Sequence, residues 1–163
     1  MPSEVDLRPA TAADSDFCFQ VHRAALGEHV AAIWGWDDEI QRGYHDRAFV
    51  PGTWQIITVD GADAGLLVVD YRPAEVFLGR IELDPRFQGR GIGGRLLRWL
   101  IGVAAERGQP LVLEVLAVNT RAQAFYLRHG FRETARNERK ILLARTPDQE
   151  DRPSVSPRPS PSP

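Results

Sequence analysis

The sequence is poor in several residue types, and each shortage closes a class of function. One cysteine, Cys18, stands among 163 residues, so neither an internal disulfide nor a cysteine-zinc cluster can form, and a reducing compartment fits. Ser15 is the only serine between Val5 and Arg145, which leaves a serine hydrolase almost no nucleophile. His22, His29, His45 and His129 show no H-E-x-x-H or other ligand spacing, so no metal site is expected. No apolar run approaches the roughly 20 residues that a membrane helix needs, and Met1 to Asp6 lacks the basic segment and apolar stretch of a secretory leader. The chain therefore reads as cytoplasmic, with no membrane partner. Lysine is nearly absent, Lys140 standing alone beside many arginines. With 20 basic residues against 22 acidic ones and a net charge of −2, no broad positive field would draw nucleic acid, and any anion site must be local.

What remains suits one globular domain. A content of 43% hydrophobic and 26% charged residues excludes a wholly disordered or collagen-like chain. The composition breaks after Arg145, where Thr146 to Pro163 holds half of the prolines, four serines and almost nothing apolar. Residues 1–145 are thus expected to form the domain and 146–163 a disordered tail.

Periodicity and turn residues predict the elements. Val5–Arg8 reads as a strand, and Thr11 with Asp14 as a capping box opening a helix that carries Phe17, Val21, Ala25 and Leu26 inward and is weakened or ended at Gly27. Asp37 and Asp38 cap a second helix with Ile40, Tyr44 and Ala48 at fourfold spacing, stopped by Pro51-Gly52. Trp54–Val59 and Leu66–Tyr71 are β-rich runs joined by the turn residues Asp60 to Gly65, and Val76–Leu83 is a further strand halted by Asp84-Pro85. Helical spacing returns from Gly91 to Arg107, Leu111–Val118 is a strand interrupted only by Glu114, Thr120–Arg128 a short helix, and Phe131–Arg136 with Lys140–Ala144 a last strand pair. The resulting order, β-α-α-β-β-β-α-β-α-β-β, predicts an α+β domain on a mostly antiparallel central sheet with one β-α-β crossover and flanking helices.

The most informative segment is Gln88-Gly89-Arg90-Gly91-Ile92-Gly93-Gly94-Arg95, between a strand and an amphipathic helix. Glycines let backbone N–H groups approach an anion, and a helix N-terminus presents unpaired N–H groups, so a phosphate or pyrophosphate is the natural guest, with Arg90 and Arg95 adding local charge. The bland alternative is a flexible turn. A P-loop is excluded because no Lys-Ser or Lys-Thr follows the glycines. Gly89, Gly91 and Gly94 satisfy G-x-G-x-x-G, but Asp84 to Gln88 separate them from the strand and the preceding strands are hairpin-like, which speaks against a dinucleotide fold.

The same segment also spells Q-x-x-G-x-G at Gln88, Gly91 and Gly93. With Ile81-Glu82-Leu83-Asp84-Pro85 before it, and Leu113-Glu114-Val115, Asn119, Ala122, Phe125-Tyr126 and Gly130-Phe131 after it, the chain resembles the GNAT superfamily of N-acetyltransferases from Val5 to Arg145, most strongly from Val76 to Phe131. The resemblance implies acetyl-CoA as co-substrate. Its pyrophosphate would lie on the N–H groups of Gln88, Gly89, Arg90, Gly91, Ile92, Gly93 and Gly94. Its pantetheine arm would pair with Ile81 to Leu83 like an added strand where the fourth strand splays from the fifth, with Asn119 holding it from the other side and the Leu83 N–H polarising the thioester carbonyl.

An alkyl ammonium has a pKa of about 10.4, so the acceptor needs a base or proton relay, and the departing thiolate gains from an acid. By the same resemblance Tyr126 is the acid; a tyrosine merely packed on the sheet is the alternative. Two carboxylates compete as base. Glu114 interrupts an apolar strand, where a carboxylate is costly unless partnered, and Glu82 borders the cofactor strand; either could instead pair with an arginine such as Arg80 or Arg132. The family likeness also places the acceptor pocket between Leu26 and Phe49, where Glu28, Trp34 and Trp36 suit a cationic amine, unless the tryptophans fill the core. Cys18 reads as a buried inert thiol. These residues point to acetyl transfer onto a primary amine of a small molecule or peptide, directly within a ternary complex and without metal. The rival reading is a catalytically silent acyl-CoA-binding sensor or interaction module. A homodimer is left open.

Overall fold

The computed structural model describes residues 2–147; the expected tail lies outside the described residues except for Thr146 and Pro147. The elements are β1 (Val5–Pro9), α1 (Ser15–Trp34), α2 (Asp38–Ala48), β2 (Gln55–Val59), β3 (Ala62–Tyr71), β4 (Val76–Leu83), α3 (Ile92–Glu106), β5 (Leu111–Leu116), α4 (Thr120–Arg128), β6 (Arg132–Arg136) and β7 (Lys140–Arg145). They follow the expected order. One seven-stranded sheet runs β1-β2-β3-β4-β5-β7-β6, antiparallel throughout except where α3 carries the chain from β4 to a parallel β5. No helix among the described residues is long and apolar enough to cross a membrane.

Each face of the sheet carries its own apolar layer. On one, Ile92, Leu96, Leu97, Leu100 and Ala104 of α3 and Tyr126 of α4 pack on Val76, Leu78, Leu111, Leu113, Ile141 and Leu143. On the other, Cys18 and Val21 of α1 pack on Ile56, Leu66 and Trp54. Cys18 is fully buried, and burial pushes its thiol up to about 12, so it is the inert side chain that was expected.

Two local expectations are corrected, and one helix face is settled. α1 does not weaken at Gly27 but runs on to Gly35; packing of Val30 on the core side outweighs the roughly 1 kcal/mol that a mid-helix glycine costs. β3 begins at Ala62, because Asp60 and Gly61, at φ of 50° and 81°, close a two-residue turn that needs no further loop. On α2 the stripe Ile40, Tyr44 and Ala48 is exposed, and the inward residue is its neighbour His45. The His45 ring stacks on Phe49 at 5.4 Å, sets its edge against Trp54 and bonds the Ser15 hydroxyl at 3.1 Å; burial lowers its pKa and keeps it neutral.

The feature that shapes the site is a bulge. β3 pairs Val69 with Leu78 and then Val68 with Arg80, so Gly79 is an extra residue in β4. Beyond it β4 no longer follows β5: the parallel pairing consists of Val76, Phe77 and Leu78 against Leu111, Val112 and Leu113. The two strands then part, as the expected splay required.

The start of α1 is pinned by charge. Arg8 forks onto both carboxylate oxygens of Asp14 at 2.9 Å and also reaches Asp63 at 3.0 Å, while Asp14 accepts the Thr11 N–H at 2.7 Å. Arg8 holds the Asp14 carboxyl down at about 2, below its ordinary 3.8, so this group favours the fold above pH 3.8 and the benefit is lost as pH falls toward 2. Asp14→Asn should cost about 1–2 kcal/mol, since Arg8 keeps Asp63 and is partly open to water, and should remove that part of the acid dependence. Urea melts at pH 7 and pH 3 check both.

Candidate active site

Where β4 leaves β5 the sheet opens into a cleft of about 1540 Å³. Its first wall is β4. The Asp84 N–H donates to the Ala64 carbonyl at 2.8 Å, and alternation along an antiparallel strand therefore turns the backbone groups of Glu82 and Arg80 to β3 and those of Ile81 and Leu83 to the gap. The Leu83 carbonyl accepts from Gln88 Nε2 at 3.0 Å, leaving its N–H facing the opening.

At the end of this wall lies the glycine turn. Gly89 and Gly91 both have φ of +76°, which favours glycine, and a Cβ on either would meet no protein atom within 4 Å. The turn is therefore open on its outer side. Gly91 is the N-cap of α3, whose first helical bond runs from the Arg95 N–H to the Gly91 carbonyl at 3.1 Å; the N–H groups of Ile92, Gly93 and Gly94 precede it and have no helical acceptor. All the expected cofactor residues line the cleft except Arg90. Its guanidinium lies over the Phe87 ring at 5.3 Å, and Arg95 donates to the Ser3 carbonyl at 2.6 Å, so neither expected arginine lines the cleft. Arg98, Arg128 and His129 line it instead. Arg98 follows Gly94 by one helical turn, which puts the two on one face of α3.

Asn119 stands opposite as the N-cap of α4, its Oδ1 accepting the Ala122 N–H at 3.1 Å. α4 in turn presents Tyr126, packed between Phe125 and Phe131 at 5.1 and 5.5 Å. The Tyr126 hydroxyl has no hydrogen-bond partner among the described residues. Burial first, and then the charge of Glu82, push its pKa well above the ordinary phenol value, so this phenol holds its proton and is suited to give it only to a strong base.

The two candidate carboxylates separate sharply. Glu114 is not the buried acid that its apolar strand suggested: it lies on the open face of β5, its side chain 48% exposed, and pairs with Lys140 at 3.4 Å and not with an arginine. Strand alternation explains this, because Leu113 and Val115 take the core face and Glu114 the other. Glu82 is the buried one, 4% exposed, with His22 Nδ1 of α1 at 2.7 Å from Oε2 and Arg80 at 3.9 Å from Oε1. No motif in the sequence marks His22. Its signal is weak: one helical turn after Cys18, it continues the inward face of α1.

The acceptor residues also divide. Trp34 and Trp36 line the cleft with Ile40 and Tyr44, whereas Glu28 is exposed outside it, one residue off the α1 row His22, Leu26 and His29 that faces inward. The tryptophans do not fill the core: Trp34 is 46% exposed, with Arg139 of the β6–β7 turn 5.6 Å from its ring, and the Trp36 N–H donates to Asp38 at 3.1 Å. Among the described residues no group of His, Cys, Asp and Glu side chains forms a metal site.

Known proteins resemble this chain in sequence and in fold. The model of the acetyltransferase (GNAT) family matches residues 15–131, and the chain belongs to that family. Mycothiol acetyltransferase of Clavibacter sepedonicus is 34% identical over 142 residues, which are 83% of this chain and 45% of that protein. N-alpha-acetyltransferase RimI of Mycobacterium tuberculosis is 43% identical over 67 residues, 41% of each. The matches thus span less than half the length of both curated relatives. Among solved structures, the PaiA N-acetyltransferase of Thermoplasma acidophilum in complex with coenzyme A superposes with a TM-score of 0.71 at 16% identity, over 88% of this chain and 99% of that one; this shows the fold.

Because the Tyr126 hydroxyl bonds nothing among the described residues, Tyr126→Phe should leave stability within about 0.5 kcal/mol. Glu82→Ala, which strips Arg80 and His22 of their buried partner, should cost about 3 kcal/mol. Thermal and urea melts of the two variants, set side by side, test whether the phenol is structural.

Proposed function

We propose that the protein is an acetyl-CoA-dependent N-acetyltransferase that moves the acetyl group to a primary amine of a small molecule or peptide, both substrates being bound together. The observation that carries this is the parting of β4 from β5, which turns the Leu83 N–H toward a cleft that ends at the glycine turn of α3 and is flanked by the Tyr126 phenol.

The site fits the co-substrate. The glycine turn offers backbone donors on a side that no protein atom fills, which suits a pyrophosphate, and Ile81 and Leu83 offer strand groups to an amide-bearing arm. The Leu83 N–H would polarise the thioester oxygen as charge develops there. Tyr126 would give its proton to the departing thiolate. The acceptor would enter on the Trp34 and Trp36 side of the cleft, which Glu82 and Glu114 also line. One curated relative is named for mycothiol and the other for an α-amino group, so both acceptor classes belong in the trial.

A panel of small amines and short peptides is offered with acetyl-CoA, and free thiol is measured. Turnover above background is expected with at least one acceptor; none, with coenzyme A still binding, would make the chain a silent acyl-CoA-binding module. Tyr126→Phe should keep coenzyme A affinity and lose about 100-fold or more in kcat. Gly91→Asp should abolish binding by calorimetry, since it sets a carboxylate against the pyrophosphate and strains a left-handed position. Wild-type affinity in that variant would displace the cofactor from the turn.

A further inference from the structure

Glu82 is badly placed to take a proton from an acceptor itself. Its carboxylate is 4% exposed, one oxygen is spent on His22 at 2.7 Å, and the other faces Arg80 at 3.9 Å. Arg80 is fixed in turn, its guanidinium lying 5.0 Å from the Trp54 ring. Glu114 is in reach of solvent but is engaged by Lys140.

His22 has the opposite character. A carboxylate only accepts, so in the neutral ring the hydrogen sits on Nδ1 toward Glu82 and the lone pair on Nε2. Nε2 has no hydrogen-bond partner among the described residues, and the ring lines the cleft next to Trp36, with centroids 6.4 Å apart. The other titratable or charged groups near it are Arg80 beside Glu82, neutral His45 of α2, and Cys18 on its own helix, whose thiol stays protonated.

We propose that His22 Nε2 is the base that takes the acceptor amine's proton, and that Glu82 is the positioning residue that sets the tautomer and compensates the imidazolium. This rests on the N-acetyltransferase reading above. In the reaction so assigned, the acceptor ammonium gives one proton to Nε2, and the freed nitrogen lone pair forms the C–N bond to the acetyl carbon. The C–S bond breaks and its electron pair leaves with sulfur, which takes the Tyr126 proton. The nitrogen, now part of the acetamide, returns its extra proton to the Tyr126 oxygen. The products are amide and thiol, and the one surplus proton leaves His22 for solvent, so no oxidant or metal enters. Arg80 stays charged throughout, so Glu82 faces a cation on one side at every stage and gains a second on the other only while His22 is protonated.

The test uses the full chain with acetyl-CoA and whichever panel amine releases most thiol. His22→Gln should lower kcat about 100-fold while leaving the coenzyme A Kd unchanged, and should erase the acid limb of the kcat/KM profile that His22 creates. Added imidazole should restore part of the rate to His22→Ala. Glu82→Gln should move that limb and lower kcat less than His22→Gln does. A readout independent of turnover, and of whether the variants fold, is the nitrogen NMR spectrum of the histidines in the wild-type chain, where neutral His22 should carry its hydrogen on Nδ1. Wild-type kcat in His22→Gln, or a hydrogen found on Nε2, overturns this inference and leaves the acetyltransferase reading intact. A wild-type chain that acetylates no amine removes both.

Discussion

The whole site depends on one interruption of hydrogen bonding. β4 and β5 could have paired along their full length, but the extra residue at Gly79 ends their ladder after Leu78 and Leu113. From that point each strand has backbone groups without a strand partner; Gln88 takes the Leu83 carbonyl, and the rest face a gap that solvent or a guest must satisfy. A bulge of this kind bends the strand that carries it and aims it away from its neighbour. The helix that follows β4 begins in a turn whose glycines leave its outer side bare, so the open strand edge and the helix N-terminus belong to one continuous surface.

Around that surface, charge is divided between two faces of the sheet. On the α1 face, buried Glu82 sits between the half-buried Arg80 and His22, an expensive grouping that is sustained because the carboxylate has a cationic neighbour on one side and a hydrogen-bonding one on the other. On the α4 face, Tyr126 sits among aromatic rings and is kept neutral by the same burial. Because the strands are parted, groups from both faces reach the same cleft. The charge of Glu82 acts on Tyr126 from the other face and adds to the burial that keeps the phenol protonated.

Much of this was legible in the chain of letters. The element order, the crossover and the glycine turn follow from periodicity and turn chemistry, which act over a few residues. What escaped depends on contacts between residues far apart. Nothing local says that Glu82 will face inward and Glu114 outward: both interrupt apolar strands, and only the helix packed on each face decides which is buried. His22 is one of four histidines without a motif and acquires meaning only through a residue sixty positions away. On α2 the fourfold apolar spacing was real, but its first two residues, Ile40 and Tyr44, line a cleft, while the core face is held by a polar residue, His45. Arg90 and Arg95 flank the turn in sequence yet point elsewhere, since an arginine side chain is long enough to settle on the nearest ring or carbonyl.

The short seam between β4 and β5 has a consequence for the folded chain as a body. Three residue pairs, helped by α3, join a four-stranded half to a three-stranded half, so the sheet is continuous only at one end. Whatever seats itself between the halves makes contacts that the unfolded chain cannot offer, and by mass action it raises the melting temperature as it saturates. The protein thus carries its own gauge of occupancy: a thermal shift reads out how completely the missing rung has been filled, whatever chemistry follows.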